Sequence, residues 1–248
     1  MLSEVTLIVG SWKDEVSHNT TMNSFIPALK SSNLSYEIYT ISKFELRIFG
    51  RKFGGLVSIP IKCFLTKING KLIHALDPSV AIRNTNIVTV HDLAPLKLPE
   101  KYPFGTFVIW KFYSRSIKKA ERIIAISEQT KKDIVEFLGI PEKKVKVIYW
   151  GINPDFYPEK KNMPLLHNGK INLVYVGSND PRKNLQLVID AMKILKEKGK
   201  DTRFIRIGSK HYNYELKKEG LDVAEPGILK TDEIRGYYST CDVFVWPS

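Results

Sequence analysis

The sequence has few cysteines: its 248 residues include only Cys63 and Cys241. Two cysteines cannot form a disulfide framework, and neither has a second cysteine or a histidine at metal-ligand spacing. The sequence also lacks an Asp-x-Asp pair, which would chelate a metal–diphosphate complex, and a Gly-x-Gly-x-x-Gly segment, which nicotinamide and flavin enzymes use. These absences favour a reducing, cytoplasmic setting and a protein that needs no metal and no cofactor.

Long apolar stretches are missing as well. The longest charge-free ones, such as 102–110, have about half of the roughly 20 residues that a membrane-spanning helix needs. Glu4 stands where a signal peptide would have a basic start. We therefore expect neither export nor insertion into a membrane.

Positive charge is in excess, with 38 Lys and Arg against 26 Asp and Glu, a net charge of +12. Such an excess favours anionic partners. Segment 43–71 has seven basic residues, one acid and many apolar ones, which suits peripheral contact with an anionic membrane, such as the inner face of the cell membrane. The alternative is an ordinary amphipathic segment whose apolar side is core. No nucleic acid is expected, because no known nucleic-acid-binding motif accompanies the charge.

Short apolar runs alternate with longer helical patterns, an order typical of βαβ units in a parallel sheet. One helix is especially clear, with Ser127 as N-cap and Gly139 just beyond its end. The sequence thus predicts an α/β, doubly wound, Rossmann-like domain over 1–155. Its predicted strands are 5–9, 72–75, 87–90, 122–126 and 145–149.

A turn-rich linker is predicted at 156–169, and the alternation restarts in a second Rossmann-like domain at 170–248. Its predicted strands are 171–176, 204–207 and 243–246, with a weaker one near Val223, and its predicted helices are 184–198 and 231–238, the latter capped by Thr231. A parallel sheet needs cover on both faces, and the chain stops on an apolar strand, so we expect this domain to be incomplete. Two such domains are expected to face a cleft at the carboxyl ends of their strands.

Two segments after predicted strands carry polar groups suited to a ligand. Between 176 and 184 the chain leaves a strand, turns at Gly177 and Ser178, and enters a helix beside Arg182 and Lys183. Backbone N–H groups and two cations at this place attract a diphosphate, although such a pair is also compatible with a solvated helix start. His91 follows another strand and can exchange a proton or bind a hydroxyl, with Asp92 beside it as an acceptor; a lone histidine is more often structural.

Four segments, in this order, resemble the family-4 retaining glycosyltransferases (glycosyl transferases group 1), which have the GT-B fold. They cover about half of the chain. The resemblance implies transfer of a hexose from a nucleotide-sugar donor to a glycan, lipid or other hydroxyl acceptor, with retention of configuration and without a metal, as in polysaccharide biosynthesis. The segments are VTVHDLAPLKLP, AERIIAISEQTKKDIVEFLGIPEKKVKVIYWGINPDF, VYVGSNDPRKNLQLVIDA and EIRGYYSTCDVFVWPS.

The resemblance also assigns roles to individual residues. Lys183 and Arg182, in the turn that contains Gly177 and Ser178, match the residues that hold the donor diphosphate. His91 matches the histidine beside the transferred sugar. The remaining assignments are Gly10 and Asp92 on the acceptor side, and Gly208, Gly227 and Ile228 where the family holds the base and ribose.

The sequence departs from the family at several points. Ser178 stands where many members have Arg, Trp150 replaces the usual Asn, and Gly10-Ser11-Trp12 replaces a Gly-Gly loop. Relatives continue past the last strand into a glutamate-bearing loop and a final helix. We therefore expect weak or absent turnover from this polypeptide alone, and the alternative to an enzyme is a non-catalytic subunit that binds a glycan or a partner.

Overall fold

The computed structural model describes most of the chain in two compact units, 1–151 and 152–248. The predicted linker 156–169 lies within the second unit. The described residues are 5–11, 29–32, 34–42, 46–48, 51–53, 62–69, 72–102, 104–159, 166, 169–210, 216, 218 and 220–247.

The first unit contains a six-stranded parallel sheet with the strand order β2-β1-β5-β6-β7-β8. An antiparallel pair, β3 and β4, lies outside that sheet. The strands are β1 (Val5–Ser11), β2 (Tyr36–Ser42), β3 (Leu46–Ile48), β4 (Arg51–Phe53), β5 (Leu72–Ala75), β6 (Ile87–Val90), β7 (Arg122–Ala125) and β8 (Val145–Val147). The helices are α1 (Ala94–Lys97), α2 (Phe104–Lys119) and α3 (Glu128–Leu138), with a further helical turn at 62–65.

The core of this unit forms where the short apolar strands meet the helices. Ile8, Val88 and Ile123, from three strands, are fully buried, as are Ile117 of α2 and Ile134 of α3. Strands that are buried between helices show nearly continuous apolar runs rather than alternation, which is why the sequence pattern identified them. The predicted strands of the first half are confirmed to within two residues at each end.

Helix α3 begins and ends where the sequence predicts. The Ser127 hydroxyl accepts a hydrogen bond from the backbone N–H of Thr130 (3.0 Å). Gly139 adopts the left-handed conformation, with φ of 63°, beyond the last turn, and a residue without a Cβ has little strain there. These caps hold the helix directly behind the residue pair His91-Asp92, because the Thr130 hydroxyl donates to the backbone carbonyl of His91 (3.1 Å).

The second unit contains a four-stranded parallel sheet with the order β11-β10-β9-β12. Its strands are β9 (Ile171–Val176), β10 (Thr202–Ile207), β11 (Asp222–Gly227) and β12 (Val243–Phe244), and its helices are α4 (Leu185–Glu197) and α5 (Thr231–Thr240). The weaker prediction near Val223 is thus a full strand. The predicted α/β class with parallel sheets is confirmed.

One capping prediction for this unit is wrong. Thr231 is the first residue of α5 rather than its N-cap, and Lys230 occupies the cap position. The Glu233 carboxylate reaches back to the backbone N–H of Lys230 (2.9 Å), so an acidic group in the first turn supplies the cap that a threonine hydroxyl would have given.

Candidate functional site

Three glycines lie side by side at the carboxyl end of the second sheet. Gly177 follows β9, Gly208 follows β10 and Gly227 ends β11. Backbone hydrogen bonds join them in a row, from the N–H of Gly177 to the carbonyl of Ile207 (2.8 Å) and from the N–H of Gly208 to the carbonyl of Gly227 (2.7 Å). The structure thus brings together three predicted site residues from three separate turns. Ligands of open α/β sheets bind at this end of the strands.

Close backbone packing explains why glycine is needed in this row. A Cβ on Gly208 would lie 2.3 Å from the carbonyl oxygen of Gly177, and the φ of Gly208 is 134°. A Cβ on Gly177 would lie 2.3 Å from the hydroxyl of Tyr175, whose side chain is buried beneath the turn. Burial raises the pKa of Tyr175 to about 12, so this hydroxyl stays protonated and donates to the carbonyl of Ser178 (3.4 Å).

The two predicted cations of the site have different neighbours. Arg182 is bound by the buried carboxylate of Asp180, which accepts hydrogen bonds from its Nε (2.9 Å) and its Nη2 (2.5 Å). The Lys183 ammonium instead lies 4.8 Å from the centre of the Trp246 ring. Both residues belong to a 3-10 turn (Pro181–Lys183) that precedes α4. Asn184 joins the turn to the helix with a φ of 50°, so the cations precede the helix. Trp246 stacks on Tyr175, whose ring lies against Gly177, and this places Lys183 near the glycine row.

A buried arginine braces the same row from below. Arg206 of β10 has no exposed side-chain surface, and its Nη1 donates to the carbonyls of Ser209 (3.0 Å) and Gly177 (3.4 Å). Its Nε donates to the Glu225 carboxylate (2.7 Å), which also binds the ammonium groups of Lys210 (3.1 Å) and Lys218. Because a buried charge is tolerated only when paired, this carboxylate is what allows Arg206 to hold the two turns.

Acid should destabilise the second unit through Glu225. Burial alone would raise the pKa of this carboxyl, but hydrogen bonds from Lys218, Arg206 and Lys210 lower it to about 2 from its ordinary 4.5. A lowered folded-state pKa gives stability that is present above pH 4.5 and is lost as the pH falls towards 2. We expect Glu225→Gln to reduce the free energy of unfolding at neutral pH, and the difference from the parent to shrink below pH 4.5. Urea unfolding of the full chain across this range measures both effects.

Glu142→Gln is the matched control for that experiment. Glu142 also has a pKa lowered by a lysine, Lys131, but its side chain is 72% exposed. Exposed ion pairs contribute little to stability, so this variant should match the parent throughout. If the free energy of unfolding of Glu225→Gln depends on pH in the same way as that of the Glu142→Gln control, the buried network does not stabilise the unit.

His91 of the first unit has a fixed orientation. Its Nε2 lies 2.9 Å from the backbone carbonyl of Leu76, the residue after β5. Because a carbonyl only accepts, Nε2 carries the proton, and the neutral ring keeps Nδ1 as an acceptor. The ring also stacks on Trp150, with centroids 5.6 Å apart and planes 15° apart. Trp150, which replaces the family's asparagine, therefore covers one face of this histidine.

The other predicted residues of the first unit have less specific settings. Asp92 is exposed, and its carboxylate accepts a hydrogen bond from the backbone N–H of Ala94 (2.9 Å), which orders the start of α1. Gly10 lies within β1, which continues to Ser11. The loop that the resemblance places after Gly10 lies outside the described residues.

Ser178 and Ile228 complete the predicted set in the second unit. Ser178 is half-buried in the turn after β9, and Ile228 is 69% exposed directly after Gly227. Both adjoin the glycine row. No group of three or more His, Cys, Asp or Glu side chains in the described part of the chain could hold a metal ion, and the predicted metal independence stays a prediction.

Sequence reasoning did not identify Asp180, Arg206, Glu225 and Trp246 as site residues. One signal was present for Arg206: a charged residue interrupts the apolar run from Phe204 to Ile207 in a strand that is buried on both faces. The structure shows that this charge is buried and paired. Trp246 gave no comparable signal, because an aromatic residue in an apolar strand is ordinarily core.

Two family models match the chain, and the boundary between the two matches lies close to the boundary between the two structural units. The model of Glycosyltransferase Family 4 matches residues 71–156, and the model of Glycosyl transferases group 1 matches residues 157–248. The O-antigen chain mannosyltransferase RfbU of Salmonella typhimurium is 23% identical over an alignment of 193 residues that covers 73% of this chain and 50% of RfbU. The chain thus spans about half the length of this relative.

Two solved structures share the fold. Sucrose-phosphate synthase from Thermosynechococcus elongatus matches with a TM-score of 0.73 and 15% identity, over 98% of this chain and 75% of the synthase. Anabaena Alr3699/HepE in complex with UDP matches with a TM-score of 0.60 and 14% identity, over 97% of this chain and 73% of HepE. At this identity the likeness shows the fold alone, which is GT-B.

Proposed function

We propose, from the premise that the chain belongs to the GT-B glycosyltransferases, that it binds a nucleotide-sugar at the glycine row and transfers the hexose to a hydroxyl acceptor. The similarity to a mannosyltransferase of O-antigen synthesis supports mannose as the first sugar to test. The HepE structure contains UDP, which supports a nucleoside diphosphate as the leaving group.

The observation that carries this proposal is the convergence of the glycine row with Arg182 and Lys183. The turns after β9 and β10 pack so closely that Gly177 and Gly208 have no room for a side chain. This packing holds the turns side by side at the carboxyl end of the sheet, where ligands of such sheets bind. A diphosphate beside these turns would meet backbone N–H groups and two cations. Arg182 and Lys183 would thereby stabilise the charge that develops on the leaving diphosphate, which is the task that a metal performs in other enzymes.

Arg182 is proposed to contribute less than Lys183 to binding of the diphosphate. Its Nε and Nη2 already bind Asp180, so the pair contributes less positive charge than a lone arginine. Lys183 contacts only a ring in the described part of the site, and a lysine ammonium is a mobile point charge. We therefore propose Lys183 as the principal contact of the diphosphate, with Gly208, Gly227 and Ile228 beside the base and ribose.

His91 is proposed to contact the transferred hexose. Its Nε2 is committed to Leu76, so Nδ1 is the atom that would accept a hydrogen bond from a sugar hydroxyl. Transfer with retention requires the acceptor hydroxyl to attack from the face that the diphosphate leaves, and Gly10 and Asp92 are proposed to lie on the acceptor side.

Ligand-dependent stabilisation tests the proposed function. GDP-mannose, UDP-glucose, GDP and UDP should be screened against the full chain, because a ligand that binds only the native state raises its melting temperature. We expect a diphosphate of one base, and its sugar conjugate, to raise the melting temperature, while the monophosphate gives a smaller rise. Release of the nucleoside diphosphate from the conjugate then measures turnover.

Each outcome of the screen has a clear meaning. Stabilisation by a nucleotide-sugar together with release of the diphosphate supports a glycosyltransferase. Stabilisation without release would support the donor site alone, because weak or absent turnover is expected of this polypeptide as well as of a non-catalytic binding subunit. The absence of stabilisation by any nucleotide would contradict the donor site.

His91→Ala should reduce turnover more than donor affinity. The variant loses one hydrogen bond to the hexose, so we expect release of the diphosphate to slow by about tenfold, while the Kd of the free nucleoside diphosphate stays unchanged. His74→Ala is not a suitable control, because His74 is buried against Thr89. Glu136→Gln is a suitable control, because Glu136 is an exposed residue of α3 outside the proposed site, and this variant should retain turnover. A His91→Ala variant that loses diphosphate affinity instead would make His91 a structural residue.

A further inference from the structure

Helix α2 presents an unusual face to solvent. Its 16 residues, FGTFVIWKFYSRSIKK, contain no acid. Phe112 is 52% and Val108 is 39% exposed. The other exposed side chains of this face are all cationic: Lys111, Arg115, Lys118 and Lys119.

The opposite side of α2 is fixed in the core of the first unit. Ile117 is fully buried, and Trp110 packs against the same cluster, which includes Val80 and Ala120. The exposed apolar side chains therefore do not contribute to this core, and the face is held in one orientation.

Cations and rings alternate on this face. The Lys111 ammonium lies 4.9 Å from the centre of the Phe107 ring, and the Arg115 guanidinium lies 5.2 Å from that of Phe112. None of the four exposed cations of α2 forms an ion pair within the described ranges. A solvated helix face ordinarily mixes both signs of charge, and this one does not.

A second patch of the same kind lies at the helical turn 62–65. Phe64 is 65% and Leu65 is 76% exposed, and the Arg83 guanidinium lies 5.2 Å from the centre of the Phe64 ring. The turn lies near α2, because the Cys63 thiol donates to the backbone carbonyl of Ser79 (3.5 Å) and the helical turn 78–80 packs against α2. Together the two segments form what we call the basic-aromatic face, defined by residues 62–65 and the exposed side chains of α2.

We propose that the basic-aromatic face binds the surface of an anionic lipid bilayer. Phosphate headgroups attract the cations of such a face, and Phe, Val and Leu side chains insert at the boundary with the acyl chains. A second copy of the chain fits less well, because like charges would meet. The proposal extends the sequence prediction for segment 43–71, most of which lies outside the described residues, to a helix that the sequence did not single out.

Vesicle sedimentation tests this proposal with the full chain. The parent protein should bind vesicles of equimolar phosphatidylcholine and phosphatidylglycerol, and should bind pure phosphatidylcholine much more weakly. Replacing Val108 and Phe112 by serine should reduce binding to the anionic vesicles at least about tenfold, as should replacing Lys111 and Arg115 by glutamate. Circular dichroism confirms that both variants remain folded.

The second unit offers matched controls. Leu187 and Ile194 of α4 are 54% and 52% exposed, so their joint replacement by serine removes a similar apolar area. Lys198→Glu with Lys200→Glu changes the net charge as much as the α2 charge variant does. Both controls should bind vesicles like the parent. The proposal would be overturned if the α2 variants and the controls lost vesicle binding equally, or if the serine variant of α2 bound as tightly as the parent. Equally tight binding of the parent to phosphatidylcholine alone would also overturn it.

Discussion

Gly208→Ala should destabilise the second unit by about 3 kcal/mol or more, the largest effect of a single methyl group that we expect in this chain. The new Cβ would lie 2.3 Å from the carbonyl oxygen of Gly177, a distance that real Cβ contacts do not reach, and alanine would also have to adopt a φ of 134°. The clash is with backbone, so no side chain can turn away to relieve it. The turn after β9 would have to shift, and with it the hydrogen bond from Arg206 to Gly177.

Gly227→Ala separates the two causes of this effect. Gly227 also has a positive φ, 85°, but a Cβ there meets nothing within 4 Å. The strain of the left-handed region alone costs roughly 1–2 kcal/mol. Urea unfolding of both variants, followed by circular dichroism, should therefore place Gly208→Ala clearly below Gly227→Ala in stability. Equal stabilities would show that the two turns are not held against each other as the structure describes.

Five strands of the first sheet, the strands of the second sheet and the best-capped helix were predictable because their signals are local, whereas β2, β3 and β4 were not identified. A buried parallel strand is a short apolar run between turns, and Val88 or Val174 needs no distant partner to be recognised. The caps of α3 are equally local, since Ser127 and Gly139 act within one turn of the helix ends. The start of α5 at Thr231 was predicted, but its N-cap was misassigned, because a threonine was preferred over the pair that the Lys230 backbone N–H and the Glu233 carboxylate form.

The assembly of the site depends on contacts between distant residues, which the sequence pattern does not specify. Strand order determines that Gly177, Gly208 and Gly227 become neighbours, and only their placement after strands was visible in advance. The bond between Arg182 and Asp180 spans only two positions, but it forms within a 3-10 turn whose N-cap is Asp180, and the sequence analysis did not predict that turn. Proximity along the chain therefore did not reveal that Arg182 would be partly neutralised.

The charge balance of the site follows from its ion pairs, one local and one between distant residues. Two carboxylates, Asp180 and Glu225, pair with arginines, and Glu225 also draws in Lys210 and Lys218. The overall excess of positive charge is thus partly used inside the second unit to hold its turns. Among the predicted donor contacts, Lys183 is the cation that faces no described carboxylate, which makes its replacement the most direct test of the donor site.

Lys183→Ala should weaken the binding of a nucleoside diphosphate by about ten- to a hundredfold, because a charge-assisted contact to phosphate contributes about 1.5–3 kcal/mol. In the free protein the ammonium lies 4.8 Å from the centre of the Trp246 ring, which is 53% exposed. A cation–π contact at such a surface is worth about 0.5–1 kcal/mol, so the phosphate wins the competition. Isothermal titration of GDP and UDP into the parent and the variant measures the loss.

Lys193→Ala is the matched control, since Lys193 lies on the following helix and its ammonium is 3.9 Å from Asp190 in an exposed pair. It removes the same charge from the same unit and should leave the Kd unchanged. Movement of Lys183 from the indole to the phosphate should also alter the fluorescence of Trp246, and this signal should be absent in Lys183→Ala and in Trp246→Phe. If Lys183→Ala binds the diphosphate as tightly as Lys193→Ala does, the phosphate lies elsewhere, and the glycine row must be explained by the packing of its turns alone.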